Sequence, residues 1–160
     1  EWTADLSLGG GVVISDQAED AVFRFGAHTD VTFLRQTNRD FGLGLYGEVM
    51  TSTFRDVMSS VGALALLPIH HGAPIVLFFG PHYRYSGDHD FGLGGRLWWG
   101  AHNHNHFHPY NSTFGIWVEV RGELTGERAV LVTAGVDVDL SLFVYPWLWI
   151  ERWARGPESL

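Results

Sequence analysis

The chain has 160 residues, of which 14% are aromatic and 18% are charged, and its ten basic residues are all arginines within a formal net charge of −8. This length suits one domain, and an acidic chain without an arginine cluster excludes nucleic-acid binding, which needs a basic patch. The chain has no Cys, which excludes disulfides and thiolate metal sites and leaves the cellular compartment open.

The low charge and the absence of Lys predict an unusually apolar exterior. An average soluble domain has roughly 25% charged residues, and Lys is common on exposed sheet edges. The longest apolar run, residues 61–69, has about half the length of a membrane-spanning helix, which excludes a helical membrane protein. Because the chain begins at Glu1 and not at Met, we expect that a signal peptide has been removed, although an expression boundary would look the same.

Alternation of apolar and polar residues predicts β-strands along most of the chain. The second segment has the most regular alternation, with Phe23 and Phe25 on one face and Arg24 and His28 on the other. The fourth segment is apolar on both faces. In chain order, the predicted strands are residues 2–14, 21–35, 41–54, 61–69, 75–86, 91–101, 113–124 and 128–145.

Eight strands in hairpin order predict an all-β fold, an eight-stranded antiparallel up-and-down barrel, in a single domain of residues 1–160. A β-sandwich is the competing architecture, but it needs long crossover connections, and the longest connection here is the histidine-rich segment 102–112. In an up-and-down barrel this segment lies at the end that holds both termini, together with residues 36–40 and 70–74. Outer-membrane barrels usually have short turns at that end.

The polar face of the strands mixes glycines with charges of both signs, as a narrow lumen requires, because an unpaired buried charge is costly. We therefore predict a lumen charge network of Asp5, Arg24, His28, Asp30, Glu48, His82, Arg84, Arg96, Glu119, Arg121, Glu123, Asp137 and Asp139. Aromatic residues concentrate near the strand ends, as in the girdles of membrane barrels: Trp2, Phe33, Phe41, Tyr83, Tyr85, Phe91, Trp99 and Phe114. These features favour a transmembrane barrel whose apolar face meets lipid.

On this pattern, residues 2–145 resemble the small eight-stranded outer-membrane barrel proteins of bacteria, without a family-specific motif. The resemblance implies a location in the bacterial outer membrane and membrane lipids as partners. One departure is the C-terminal tail, residues 146–160, which includes Trp147, Trp149 and Trp153, whereas such proteins usually end on an aromatic residue of the last strand. The tail is either a short interfacial helix or turn, or an overhang that packs under the barrel.

The segment "HNHNHFH" predicts either a metal site or a solvated turn. Its histidines alternate at His102, His104, His106 and His108, and the same end of the barrel holds His70 and His71. Four residues in an extended row span about 20 Å and cannot share one ion, so the plausible site combines two of them with His70 or His71. Zinc, copper or nickel suit such ligands.

The predicted function is a non-catalytic outer-membrane barrel with a structural or binding role and a histidine-rich rim. The sequence lacks GxSxG and HExxH motifs, and no Ser has a spacing that pairs it with a His as nucleophile and base. Two alternatives stay open. One is a soluble lipocalin-like barrel, periplasmic or secreted, that carries an apolar ligand, and the other is a lipid-modifying outer-membrane enzyme. The sequence identifies no protein partner.

Overall fold

The computed structural model describes residues 2–15, 19–37, 39–70, 73–87, 89–102, 113–125 and 129–140, together with residue 150. They form eight strands: β1 (Trp2–Ser15), β2 (Glu19–Phe33), β3 (Gly42–Ser52), β4 (Val57–Leu67), β5 (Ile75–Tyr85), β6 (His89–His102), β7 (Thr113–Glu123) and β8 (Ala129–Asp139). Each strand pairs antiparallel with the next, and β1 pairs with β8. The predicted eight-stranded barrel is therefore confirmed.

The strand boundaries differ from the predicted ones by a few residues. β4 begins at Val57, four residues early, because Met58 and Ser60 continue the inward alternation. Leu34 ends β2 with a left-handed φ of 63°, a conformation that breaks a strand. The predicted continuation of β8 to residue 145 and the tail, apart from residue 150, lie outside the described residues. In the part of the chain that is described, no helix has the length and apolarity needed to cross a membrane.

The two ends of the barrel have connections of different length. The end that holds Trp2, here called the terminal end, joins its strands through residues 34–41, 68–74 and 103–112. The opposite end, here called the short-turn end, joins its strands through residues 16–18, 53–56, 86–88 and 124–128. This is the reverse of the usual arrangement in outer-membrane barrels, as the sequence predicts.

Asp40 closes the connection between β2 and β3. Its Oδ2 accepts hydrogen bonds from the backbone N–H groups of Gln36, at 2.9 Å, and Thr37, at 2.6 Å. These two bonds, with that of Gln36 the larger influence, hold the pKa of the Asp40 carboxyl below its usual range, because they favour the charged form. The carboxylate therefore fixes the turn at neutral pH.

The barrel has an apolar outside and a polar inside. Outward side chains such as Leu45, Phe79 and Val118 are more than half exposed, at 60%, 63% and 52%. Inward residues such as Arg24 and Asp137 are almost fully buried, at 0% and 2%. This distribution is the opposite of the usual one in water-soluble proteins, where charged residues are almost never fully buried unless paired.

Exposed aromatic residues lie near both ends of the strands. The terminal end carries Trp2, Phe33, Phe41, Trp99 and Phe114 on its outer surface, and the short-turn end carries Phe54, Tyr85 and Phe91. The outer surface between these two groups consists mainly of Val, Leu, Ile and Phe. The exterior is thus an apolar band with aromatic residues near its two edges.

One wall of the lumen is an apolar core. Its buried members come from β3 to β7 and are Tyr46, Met50, Leu64, Leu66, Val76, Phe78, Trp98 and Trp117. Trp117 reaches across to the β1–β8 wall, where a Cβ on Gly9 would lie 2.5 Å from its indole ring. The absence of a side chain at Gly9 therefore makes room for the largest buried residue of the lumen.

Candidate functional site in the barrel lumen

Three arginines and two glutamates form a layer across the middle of the lumen. Arg24, Arg96 and Arg121 come from β2, β6 and β7, and Glu48 and Glu119 come from β3 and β7. All five are buried. Glu48 pairs with Arg96 at 2.6 Å and with Arg121, and Glu119 pairs with all three arginines. Each arginine therefore has a carboxylate partner, which offsets the cost of its burial.

Two neighbours complete this central layer. The Arg96 guanidinium carbon lies 4.7 Å from the centroid of the Trp117 ring, a cation–π arrangement. The Ser60 hydroxyl donates a hydrogen bond to Glu48 Oε1 at 2.5 Å. Because the interior of an eight-stranded barrel is just wide enough for side chains, a layer of this size fills the cross-section.

Four buried aspartates lie between the central layer and the terminal end: Asp5, Asp30, Asp137 and Asp139. Each carboxylate accepts a hydrogen bond. The Thr3 hydroxyl donates to Asp30 at 2.5 Å, and the Thr113 N–H donates to Asp139 at 2.9 Å. The Ser7 hydroxyl donates to Asp137, and the Thr113 hydroxyl donates to Asp5. These donors take the place of water around the buried carboxylates. In the sheet register, Asp5 lies opposite both His28 on β2 and Asp139 on β8.

His28 joins the aspartates to the central layer. Its Nε2 lies 3.6 Å from Asp30 Oδ2, and its Nδ1 lies 3.8 Å from Glu48 Oε2. The ring stacks on Tyr46 and meets the edge of Phe78, with centroid distances of 5.6 and 4.9 Å. Neither ring nitrogen makes a hydrogen bond to the part of the chain that the structure describes.

The lumen opens at the short-turn end into a cavity of about 1010 Å³, here called the vestibule. Its charged lining residues are Asp20, Arg55, Asp56, Arg84, Asp90 and Glu123. Arg84 Nε donates to Asp56 Oδ2 at 2.9 Å, and its guanidinium pairs with Glu123. The vestibule is therefore a wide, charged opening in which Arg84 already holds two carboxylates.

His82 lies deeper in the lumen, against the glycine face of β6. A Cβ on Gly92 would lie 2.3 Å from the His82 ring, so the ring fills the space that a side chain at position 92 would need. Both ring nitrogens are buried and, in the described residues, have no hydrogen-bond partner. This imidazole is held by packing and not by polar contacts.

The structure places eleven of the thirteen residues of the predicted charge network in the lumen as buried side chains. The other two, Arg84 and Glu123, line the vestibule, where their side chains are 25% and 9% exposed. The network is not continuous, since His82 makes no polar contact to any described group.

The described residues include two of the predicted metal ligands, His70 and His102. His71, His104, His106 and His108 lie outside the described residues, and His70 is exposed in a bend. His102, predicted in a turn, is instead the last residue of β6 and is buried. Its Nδ1 lies 2.9 Å from Arg35 Nη1, and its ring meets the edge of Trp98. Within the described ranges, no three His, Asp or Glu side chains are placed to hold a metal ion.

Sequence reasoning missed five charged residues of the lumen and the vestibule: Asp20, Arg35, Arg55, Asp56 and Asp90. Asp90 lies one residue before the predicted strand 91–101, although it continues the inward period of β6 two residues before Gly92. Asp56 lies outside a strand and accepts a hydrogen bond from the Ser52 N–H at 2.6 Å. Arg35 follows β2 and reaches back into the lumen to His102, a contact for which the alternation pattern contains no signal.

Comparison with known proteins finds similar structures but no matching family. No protein-family model matches the chain, and no curated protein matches it in sequence. A de novo designed protein, TMB2.3, solved by solution NMR, has a TM-score of 0.47 and 9% identity over 86% of this chain and 94% of its own. The S-type phycobiliprotein lyase CPES from Guillardia theta has a TM-score of 0.41 and 8% identity over 86% of each chain. The fold assignment therefore rests on the strand pairing described above.

Proposed function

We propose that this chain is a membrane-spanning β-barrel of the bacterial outer membrane, with a structural or binding role and no catalysis. The observation that carries the proposal is the inverted distribution of side chains, with an apolar outer surface around a buried, charged lumen. In water such a surface would leave many large apolar side chains hydrated, at a cost of roughly 25 cal/mol per Å². Lipid around the barrel removes that cost.

The dimensions of the barrel support the same proposal. Its strands contain 11 to 15 residues, and about 9 to 11 residues suffice for a tilted strand to cross the hydrocarbon region. An 11-residue strand tilted by about 40° rises about 25 Å, the height of the apolar band of membrane barrels. The aromatic residues near both strand ends then lie at the two interfaces.

The central layer argues against free diffusion of solutes through the barrel. Arg24, Arg96, Arg121, Glu48 and Glu119 are buried and bonded to one another. A lipocalin-like carrier needs an apolar cavity, whereas in the described residues the apolar wall packs against this charged layer, as where Arg96 lies over Trp117. We therefore favour a sealed barrel over a soluble carrier.

Solubility tests the membrane proposal. Purified protein should aggregate in aqueous buffer and should refold in detergent or phosphatidylcholine vesicles to a β-rich form that migrates differently on a gel before and after heating. Vesicles that contain it should retain an entrapped dye. A monodisperse, folded monomer without detergent would contradict the proposal, and fractionation of bacteria that export the protein tests the outer-membrane location separately.

Metal binding by the histidine-rich rim stays a prediction of the sequence. His102 is engaged with Arg35, so we propose that a zinc, copper or nickel ion would use the other rim histidines, His70, His71, His104, His106 and His108.

A further inference from the structure

We propose that the vestibule binds an organic cation, a ligand with an ammonium or guanidinium group on a short apolar stem, and that Asp90 is its anchor. This proposal goes beyond the membrane proposal and does not depend on it, because the vestibule belongs to the barrel interior in either surrounding.

Asp90 is a buried carboxylate without a partner among the described residues. It is 8% exposed and lines the vestibule, and its carboxylate makes no hydrogen bond or ion pair with the residues that the structure describes. In the sheet register it lies opposite Arg84, but the Arg84 side chain bonds Asp56 and Glu123 instead. Since its oxygens are not among the enclosed atoms without a partner, they face the vestibule, where a cation from outside the chain can bind them.

The charge of the vestibule favours the same kind of ligand. Among the described residues, four carboxylates line it against two guanidinium groups, and one of these, Arg84, is shared between two carboxylates. A bare metal ion suits the site less well, since no group of three ligating side chains in the described residues converges on one point. A cation that donates directed hydrogen bonds fits a single free carboxylate better.

One side of the vestibule fits an apolar stem. Val13 on β1 and Ala129 and Leu131 on β8 line the cavity, and these strands lie three and two strands away from β6, which carries Asp90. The volume of about 1010 Å³ is at the upper end of the range of small-molecule pockets. A linear cation of a few carbons can therefore reach Asp90 while its stem contacts this side.

Agmatine, with an ammonium and a guanidinium group on four carbons, is the probe, and butane-1,4-diol is its uncharged counterpart. The titration uses folded protein in whichever medium keeps it folded, with calorimetric detection. Agmatine should bind at least about tenfold more tightly than the diol, and Asp90→Asn should weaken agmatine about tenfold. The matched control is Glu19→Gln, which removes an exposed carboxylate at the same end that does not line the vestibule.

Three outcomes would overturn the proposal: no binding of agmatine below about 10 mM, equal binding of the diol, or equal weakening by both substitutions, which would indicate general charge attraction. If Asp90→Asn does not fold, amide shifts of the unaltered protein decide. Agmatine should shift the signals of Asp90, Asp56 and Glu123 and leave Thr32 and Thr113 at the terminal end unchanged, and the absence of this pattern rejects the site.

Discussion

Arg24 on β2 and Glu119 on β7 form an ion pair across the lumen, although their strands are not neighbours in the sheet. Backbone hydrogen bonds join each strand only to the next one, whereas this pair joins opposite walls of the barrel. Glu119 also pairs with Arg96 and Arg121. One carboxylate therefore compensates three buried guanidinium groups in part, and we expect the barrel to depend on it.

Replacement of Glu119 by Gln should destabilise the barrel by about 3–5 kcal/mol, because it leaves buried guanidinium groups with too few carboxylates. Reversible urea unfolding in lipid vesicles, followed by tryptophan fluorescence, measures the change. Glu19→Gln is the control at an exposed position and should stay within about 0.5 kcal/mol of the parent.

The double variant Arg24→Met, Glu119→Gln should be more stable than Glu119→Gln alone. Removal of the arginine takes away one of the guanidinium groups that the first substitution leaves uncompensated, and replacement of a whole buried pair by an apolar residue is often tolerated. A double variant as unstable as the sum of its two single variants would show that the pair does not act as a unit.

The contact between Gly9 and Trp117 gives a packing prediction. In Gly9→Ala, the new Cβ would meet the Trp117 indole at 2.5 Å and the Ala134 carbonyl oxygen at 2.6 Å, so we expect a loss of about 1–3 kcal/mol from overpacking. At Gly47 a Cβ meets nothing within 4 Å, and Gly47→Ala is the matched control. The same urea unfolding measures both, and equal stability of the two variants would contradict the proposed role of Gly9.

Much of the fold follows from the alternation alone. Because side chains alternate between the two faces of a strand, the sequence shows which residues share a face, and residues such as Arg24, His28 and Asp30 lie together in the lumen. Hairpin order then fixes which strands pair. The boundary of β4 was less accurate, because Met58 and Ser60 precede a stretch that is apolar on both faces.

The candidate sites were harder to predict, because they depend on side-chain direction at strand ends. His102 and Asp90 are the last and the second residue of β6, and both lie one residue outside the predicted strand 91–101. Whether a terminal residue continues the strand depends on its partner across the sheet, here Thr113 for His102 and Arg84 for Asp90. Arg84 bonds Asp56 and not Asp90 because of how the side chains pack, and the alternation of the sequence does not indicate this.

The histidine-rich rim gives a prediction that rests on the sequence alone. Titration of zinc into the parent protein should show a stoichiometric site that is lost when His104, His106 and His108 are all changed to Ala, because imidazoles are good zinc ligands. His102 is kept, because it is buried and engaged with Arg35. His89→Ala, at the short-turn end, is the control and should bind zinc as the parent does. An isotherm that these three substitutions leave unchanged rules out the segment 104–108 as a source of zinc ligands.

A charge on the outer surface distinguishes lipid from water around the barrel. Val118 is an outward residue in the middle of β7, 52% exposed, and Val118→Arg should cost about 2–4 kcal/mol if this position lies at the midplane of a bilayer. Leu124, 68% exposed, follows β7 at the short-turn end, and Leu124→Arg should cost only about 0–1 kcal/mol near the interface. Urea unfolding in vesicles measures both variants. In a soluble barrel both positions would face water and the two substitutions would have similarly small effects, so the difference between them decides which solvent surrounds the apolar band.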